Sequence, residues 1–172
     1  MLAWPAAALA GGITVQAAAL ESGDEGWLLD TSFQPDLGNT LIEAVEHGVA
    51  LHFVIDVEMR RARWYWFDER AVDMQIPVRL TFNALTRQYR VMFGAGPLAQ
   101  RFDDIRDAAR AVGRVRGWKI AERAMLKAGA SYQLAVRMRL DIAQLPRPFQ
   151  VSALTNRDWA LESEWLRQNV SV

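Results

Sequence analysis

The 172-residue chain contains no cysteine. That excludes disulfides, thiolate metal sites, a cysteine nucleophile and a lipid-modified cysteine. Histidine is nearly as scarce. His47 and His52 are too few to assemble a His-based zinc site. Charge of one sign is not in excess, because Lys+Arg and Asp+Glu both number 20. A dedicated nucleic-acid binder would carry a basic surplus, so that class is not expected. No charge precedes Glu21, yet residues 1–20 are too rich in Ala, Gly and Pro to make a strong membrane span. Repeats and low-complexity tracts are missing, as is any linker long enough to divide the chain. A Gly-x-Ser-x-Gly elbow and a P-loop are both lacking. Gly94-x-Gly96 stops short of the third glycine of a dinucleotide fingerprint. No cofactor or metal is expected, and an enzyme is not the leading reading.

What is present suits one β-rich domain. About half of the residues, 51%, are hydrophobic, enough for a sizeable core. The cations are almost all arginine, with lysine only at Lys119 and Lys127. Arginine favours fixed, bidentate and ring-stacked contacts. Residues 1–10 read as the end of a signal peptide, with Ala8-Leu9-Ala10 as a small-x-small cleavage site and Gly11 as the first mature residue. The remaining 11–172 form the single domain. Cleavage places it in the periplasm or envelope. The alternatives are a membrane anchor through residues 1–20, or a cytoplasmic protein if the start is as given.

The periodicity then alternates strand and turn. Residues 13–20 and 27–33, joined by Ser22-Gly-Asp-Glu-Gly26, predict a β-hairpin with Trp27, Leu29, Thr31 and Phe33 on one face. Leu37, Leu41, Ile42 and Val45 predict a short helix, with Thr40 and Glu43 as a capping box and Gly48 as its stop. Val49 to Arg60 alternates as a half-buried strand, with His52, Val54 and Asp56 on the wetter side. Residues 74–82 predict another strand, where Pro77 suggests an edge or a bulge. Residues 89–93 predict a further strand after the Asn83-to-Thr86 turn. Leu98 to Val112 predicts an amphipathic helix started by Pro97, with Arg106, Arg110 and Arg114 along its far side. Residues 118–126 and 131–142 predict a second hairpin. Residues 145–149 predict an extended crossover, and residues 159–165 a last strand. The expected architecture is mainly β (α+β): an antiparallel sandwich-like or curved sheet of about eight strands with two short helices.

Arg61 to Arg70 is the densest chemistry in the chain. Four successive aromatics, Trp64, Tyr65, Trp66 and Phe67, lie among Arg61, Arg63, Asp68, Glu69 and Arg70. Three readings stand. The rings can enter the core while the arginines pair with Asp68 and Glu69. The stretch can be a binding surface of the aromatic and arginine composition common at hot spots. Or Asp68 and Glu69 can serve as acid and base, although adjacent strand residues face opposite ways. Arg87 and Arg90 join it as binding candidates.

The runs Gly48-Val-Ala-Leu-His-Phe53, Arg63-Trp-Tyr-Trp-Phe-Asp-Glu69, Leu85-Thr-Arg-Gln-Tyr-Arg90, Arg137-Met-Arg-Leu-Asp141, Leu145-Pro-Arg-Pro-Phe-Gln150 and Asp158-Trp159 keep a common order and spacing. Together they resemble the proteobacterial domain of unknown function 4390 family, some of whose members are labelled proline-rich signal peptide proteins. The resemblance spans residues 13–167 or so. It implies an envelope protein, often encoded near a nitrogen-type sensor kinase, and implies no activity and no catalytic residues. A non-enzymatic envelope domain that binds another protein is therefore the leading expectation. An envelope protein or a membrane sensor kinase is the expected partner, and a peripheral membrane contact the secondary one. The alternative is a small-ligand or lipid-binding carrier with an apolar cavity gripped by the 98–112 helix.

Overall fold

The computed structural model describes residues 12–61 and 69–172. Nine strands and three α-helices occur among them. The order is β1 (Ile13–Ser22), β2 (Trp27–Pro35), α1 (Asn39–Glu46), β3 (Leu51–Arg61), β4 (Glu69–Asn83), β5 (Gln88–Phe93), β6 (Ala99–Phe102), α2 (Ile105–Val112), β7 (Arg114–Ala121), β8 (Ser131–Leu140), α3 (Arg147–Thr155) and β9 (Leu166–Ser171). The mainly β expectation holds, with one more strand and one more helix than expected. Every pairing is antiparallel, in two sheets: β6-β5-β4-β3-β8-β9 and β1-β2-β7.

The central strand shows why the sheets pack. Leu51, Phe53, Ile55, Val57 and Met59 of β3 are all 0% exposed. Burying each such side chain contributes about 1.5–3 kcal/mol before entropy is counted. Ile76, Val78 and Leu80 of β4 and Leu134, Val136 and Met138 of β8 join the same inner face through the register. The three-stranded sheet covers part of that face with Leu29, Phe33 and Val115. α1 and α2 cover more of it with Leu41, Ala44, Val45, Ala108, Ala109 and Val112. Tyr89 on β5 donates its hydroxyl to Glu46 Oε1 at 2.5 Å and holds α1 in place. Burial, and then the Glu46 bond and charge, push that phenol up to about 12.

Several local expectations are corrected. α1 is capped by Gly38, not by a Thr40 box. Thr40 Oγ1 instead donates to Asp158 Oδ2 at 2.6 Å, a tertiary bond that competes with capping. Pro77 lies on a central strand. Its carbonyl accepts the Gly94 N–H at 2.8 Å, just beyond the end of β5. In an antiparallel strand a residue's nitrogen and carbonyl face the same side, so the missing donor falls where that ladder stops. The predicted 98–112 helix divides into β6 and α2. Asp104 accepts the Arg106 N–H at 2.7 Å and starts the helix there, while Leu98 is 86% exposed. Arg114 therefore belongs to β7, and the basic helical stripe ends at Arg110.

The predicted 118–142 hairpin does not form. β7 pairs with β2 and β8 with β3, so the intervening turn, with a 3-10 turn at Arg123–Met125, carries the chain between sheets. Pro146 and Pro148 begin α3 in place of an extended crossover, since a first helical turn has no use for the missing N–H. The last strand is β9. The 159–165 segment instead holds a 3-10 turn at Arg157–Trp159 and an isolated bridge from Glu162 to Arg139.

Gly113 marks the tightest junction. A Cβ there would lie 2.1 Å from the Phe33 carbonyl oxygen, where β2 meets the α2–β7 turn. Gly113→Ala is expected to cost about 2–3 kcal/mol. Gly96→Ala, whose Cβ would meet only the Phe93 carbonyl oxygen at 3.9 Å, should stay within about 0.5 kcal/mol of the parent. Urea unfolding of the two variants checks the contrast.

Candidate functional site

Alternation along the six-stranded sheet puts charge on its outer face. Arg60 follows from β3, Arg79 from β4, Arg90 from β5, Arg101 from β6, Arg137 and Arg139 from β8, and Arg167 from β9. The carboxylates on the same face include Asp56, Glu58 and Asp73, with Glu162 bridged to Arg139 and Asp141 beside His52. A chain of zero net charge therefore has a basic sheet face.

Asp56 sits at the centre of that face, 8% exposed. Its Oδ2 accepts from Arg137 Nη2 at 2.8 Å and from Arg139 Nε at 3.0 Å, and its Oδ1 accepts from Gln75 Nε2 at 2.9 Å. Burial pushes the carboxyl up, but the Arg137 and Arg139 hydrogen bonds outweigh it, and the net direction is downward. The Arg137 guanidinium then stacks over the Trp165 ring, 4.6 Å from its centroid, with Arg167 at 5.5 Å. Trp165 is thus on the outside, not in line with the buried Leu161 and Ser163. Arg60 Nη2 pairs with Glu58 Oε2 at 2.9 Å.

Toward β6 the pairing runs out. Arg90 and Arg101 stand directly opposite each other across β5 and β6. Like charges in that register are destabilising. Neither they nor Arg79 has an ion pair among the described residues, and Arg90 Nε is buried without a partner there. His52 lies across from Arg79. Burial lowers the imidazole below its ordinary value, Arg79 lowers it further, and Asp141 partly opposes them.

Of the sequence candidates, Arg63, Trp64, Tyr65, Trp66 and Asp68 lie outside the described residues, as do residues 1–11 and with them the signal-peptide reading. Arg61 closes β3 opposite Glu69, and Arg70 opposes Arg60 while binding Asp73 at 2.6 Å. Arg87 occupies the β4–β5 turn at φ 55°. Arg70 and the Arg90 position on β4, Thr81, are separated by most of that strand, roughly 35 Å at ~3.3 Å per residue. Arg90 and the Arg87 turn therefore lie toward the other end of β4 from Arg61 and Arg70. Sequence reasoning passed over Asp56, Arg137, Arg139 and Trp165. The outward alternation of Arg137 and Arg139 was the available signal.

A concave feature flanks α2. An open groove of about 570 Å³ is bordered by β5, β6, α2 and β7, with Phe93, Phe102 and Trp118 among its lining residues. Among the described residues no helix is long and apolar enough to cross a membrane. No group of three or more His, Asp or Glu side chains there could hold a metal ion.

These features define a two-sheet antiparallel β domain with one face of its larger sheet left basic. The family model for the Domain of unknown function (DUF4390) matches residues 10–169, and the chain belongs to that family. Neither the curated proteins nor the solved structures gave a match.

Asp56→Asn keeps the shape of the side chain and removes the charge that two arginines share. It is expected to cost about 2–3 kcal/mol near pH 7. Because the folded carboxyl lies below its unfolded value, this contribution is complete above the ordinary carboxylate range and disappears as pH falls through the lowered value. Urea midpoints of parent and variant should therefore differ at pH 7 and converge in acid.

Proposed function

We propose that the domain is a non-enzymatic envelope module that binds an acidic segment of another protein through the outer face of its six-stranded sheet. The observation that carries this reading is the Arg137–Trp165–Arg167 stack on a face where arginines outnumber carboxylates. Tryptophan and arginine together make the usual hot-spot composition. Asp56 clamps Arg137 and Arg139 in fixed positions, so little side-chain entropy is lost when a partner arrives. Arg79, Arg90 and Arg101, which lack ion-pair partners among the described residues, extend the same field toward β6.

An envelope protein or a membrane sensor kinase is the kind of partner the family suggests. Nucleic acid is a poorer match, because the basic face sits on a chain with no net charge. Acid–base catalysis at Asp56 is also disfavoured. Two guanidiniums stabilise its charged form, whereas a general acid needs its proton near neutral pH.

A photo-crosslinking residue at position 79 or 167 in living cells is expected to give a discrete protein adduct, and one at Val151 on exposed α3 none. Arg101→Glu should reduce the adduct without lowering the unfolding midpoint, because it sets a carboxylate opposite Arg90. Trp165→Ala should reduce it at a cost of about 1–2 kcal/mol for the lost ring contacts. Equal adducts from position 151, or none from 79 and 167, would overturn the reading. Intact mass of the protein from the periplasmic fraction tests the envelope half separately, with a chain beginning at Gly11 as the expected result.

A further inference from the structure

The groove beside α2 lies on the other side of the molecule's larger sheet from the basic face. Its floor is aromatic and its rim is basic. Phe93 ends β5 on the inner face opposite Val78, and Phe102 lies on β6 opposite Tyr89. Both rings are only half-buried, since the three-stranded sheet stops short of them. Trp118 of β7 completes the floor.

Trp118 is there because of one extra residue. Leu29 pairs with Trp118 and Thr31 with Val115, so three steps on β7 match two on β2. Without that bulge, Val115 and Trp118 would face opposite sides. With it, both face inward. Bulges on edge strands re-aim side chains in this way, often beside binding sites. Gly117 takes the left-handed conformation at φ 57°, and Asp30 Oδ1 accepts its N–H at 2.6 Å, fixing the bulge. The indole then lies so close to Gly94 that a Cβ there would be 2.9 Å from its Cη2.

The rim is arginine. Arg116 is tethered by Asp30 at 3.3 Å and Arg110 by Asp107 at 3.1 Å. Arg114 lies between them in sequence and is the one groove-lining arginine without an ion pair among the described residues. Gln100 and Asp107 complete the polar part of the lining. The volume of about 570 Å³ falls within the ~300–1,000 Å³ of small-molecule sites.

We propose that this groove binds the monoanion of a free long-chain fatty acid. The acyl chain lies on Phe93, Phe102 and Trp118, and the carboxylate pairs with Arg114. A single carboxylate matches the single unneutralised guanidinium. An open groove lined by three aromatic rings suits a hydrocarbon chain. The site is separate from the proposed protein-binding face, so the two readings stand or fall independently.

The experiment titrates palmitate into the full chain, read by native mass spectrometry and by tryptophan emission. Hexadecanol and phosphatidylglycerol vesicles are the comparison arms. A single bound palmitate is expected, with hexadecanol about tenfold weaker for want of the charge pair. Arg114→Glu should weaken palmitate by at least about tenfold. Ala111→Trp, which fills the groove from α2, should abolish it, and Arg167→Glu should change nothing. Should Ala111→Trp fail to fold, hydrogen exchange decides on the parent chain. Palmitate should slow exchange in 99–102 and 114–118 and leave β8 and β9 unchanged. No adduct, equal binding of hexadecanol, insensitivity to Arg114→Glu, or binding to vesicles alone would overturn the proposal.

Discussion

Asp56 ties three strands together from the wet side of the sheet. Its carboxylate, on β3, takes two guanidiniums from β8 and an amide from β4. The opposite side of β3 presents an unbroken row of fully buried apolar side chains. Period-two alternation makes these two demands compatible on one strand, and a register slip by one residue would violate both. The pairing of β3 with β4 and β8 is thereby held from both faces. The positions of the outer arginines follow from it, because each is placed by the same ladder. A basic face built on a central strand is also a rigid one.

Strands with long alternation were legible in the sequence. β3 and β8 announced their inner faces residue by residue, and the β1–β2 hairpin announced its turn. Misread elements share a physical cause, which is that short-range patterns fit two structures at once. Leu98, Phe102 and Ile105 recur at helical spacing, yet Phe102 is an inward residue of an edge strand and Leu98 is solvent-facing. The Lys127-to-Ala130 turn looks the same whether it closes a hairpin or passes the chain between sheets. Only the distant partner of β7 decides, and a local pattern carries no information about it. Pro146 and Pro148 fit an extended segment as well as a helix start.

The candidate site was less legible than the fold. In the sequence, aromatics and arginines are densest at residues 61–70, whereas the geometry assembles its cation–π stack from residues far apart in the chain. Arg137 and Trp165 are separated by α3 and two 3-10 turns. Neither looks unusual in its own neighbourhood, since an outward arginine and a lone tryptophan are ordinary there. The bulge at Gly117 was hidden for a similar reason. A single extra residue leaves only a glycine as a trace, and its effect on Trp118 appears when the opposing strand is in place.

The pairing of both sheets has a kinetic consequence. Leu29 waits for Trp118, and Val57 for Val136, before either sheet is complete. Such non-local contacts give a high contact order, and loop closure must come before their reward. A nascent chain that has emerged only as far as β5 holds the β1–β2 hairpin without β7 and a β3–β5 meander whose β3 edge is unpaired. Folding is therefore expected to be slow and to begin in earnest only after β8 is available. Until then the chain would remain pliable, and exposed to anything that binds unpaired strands.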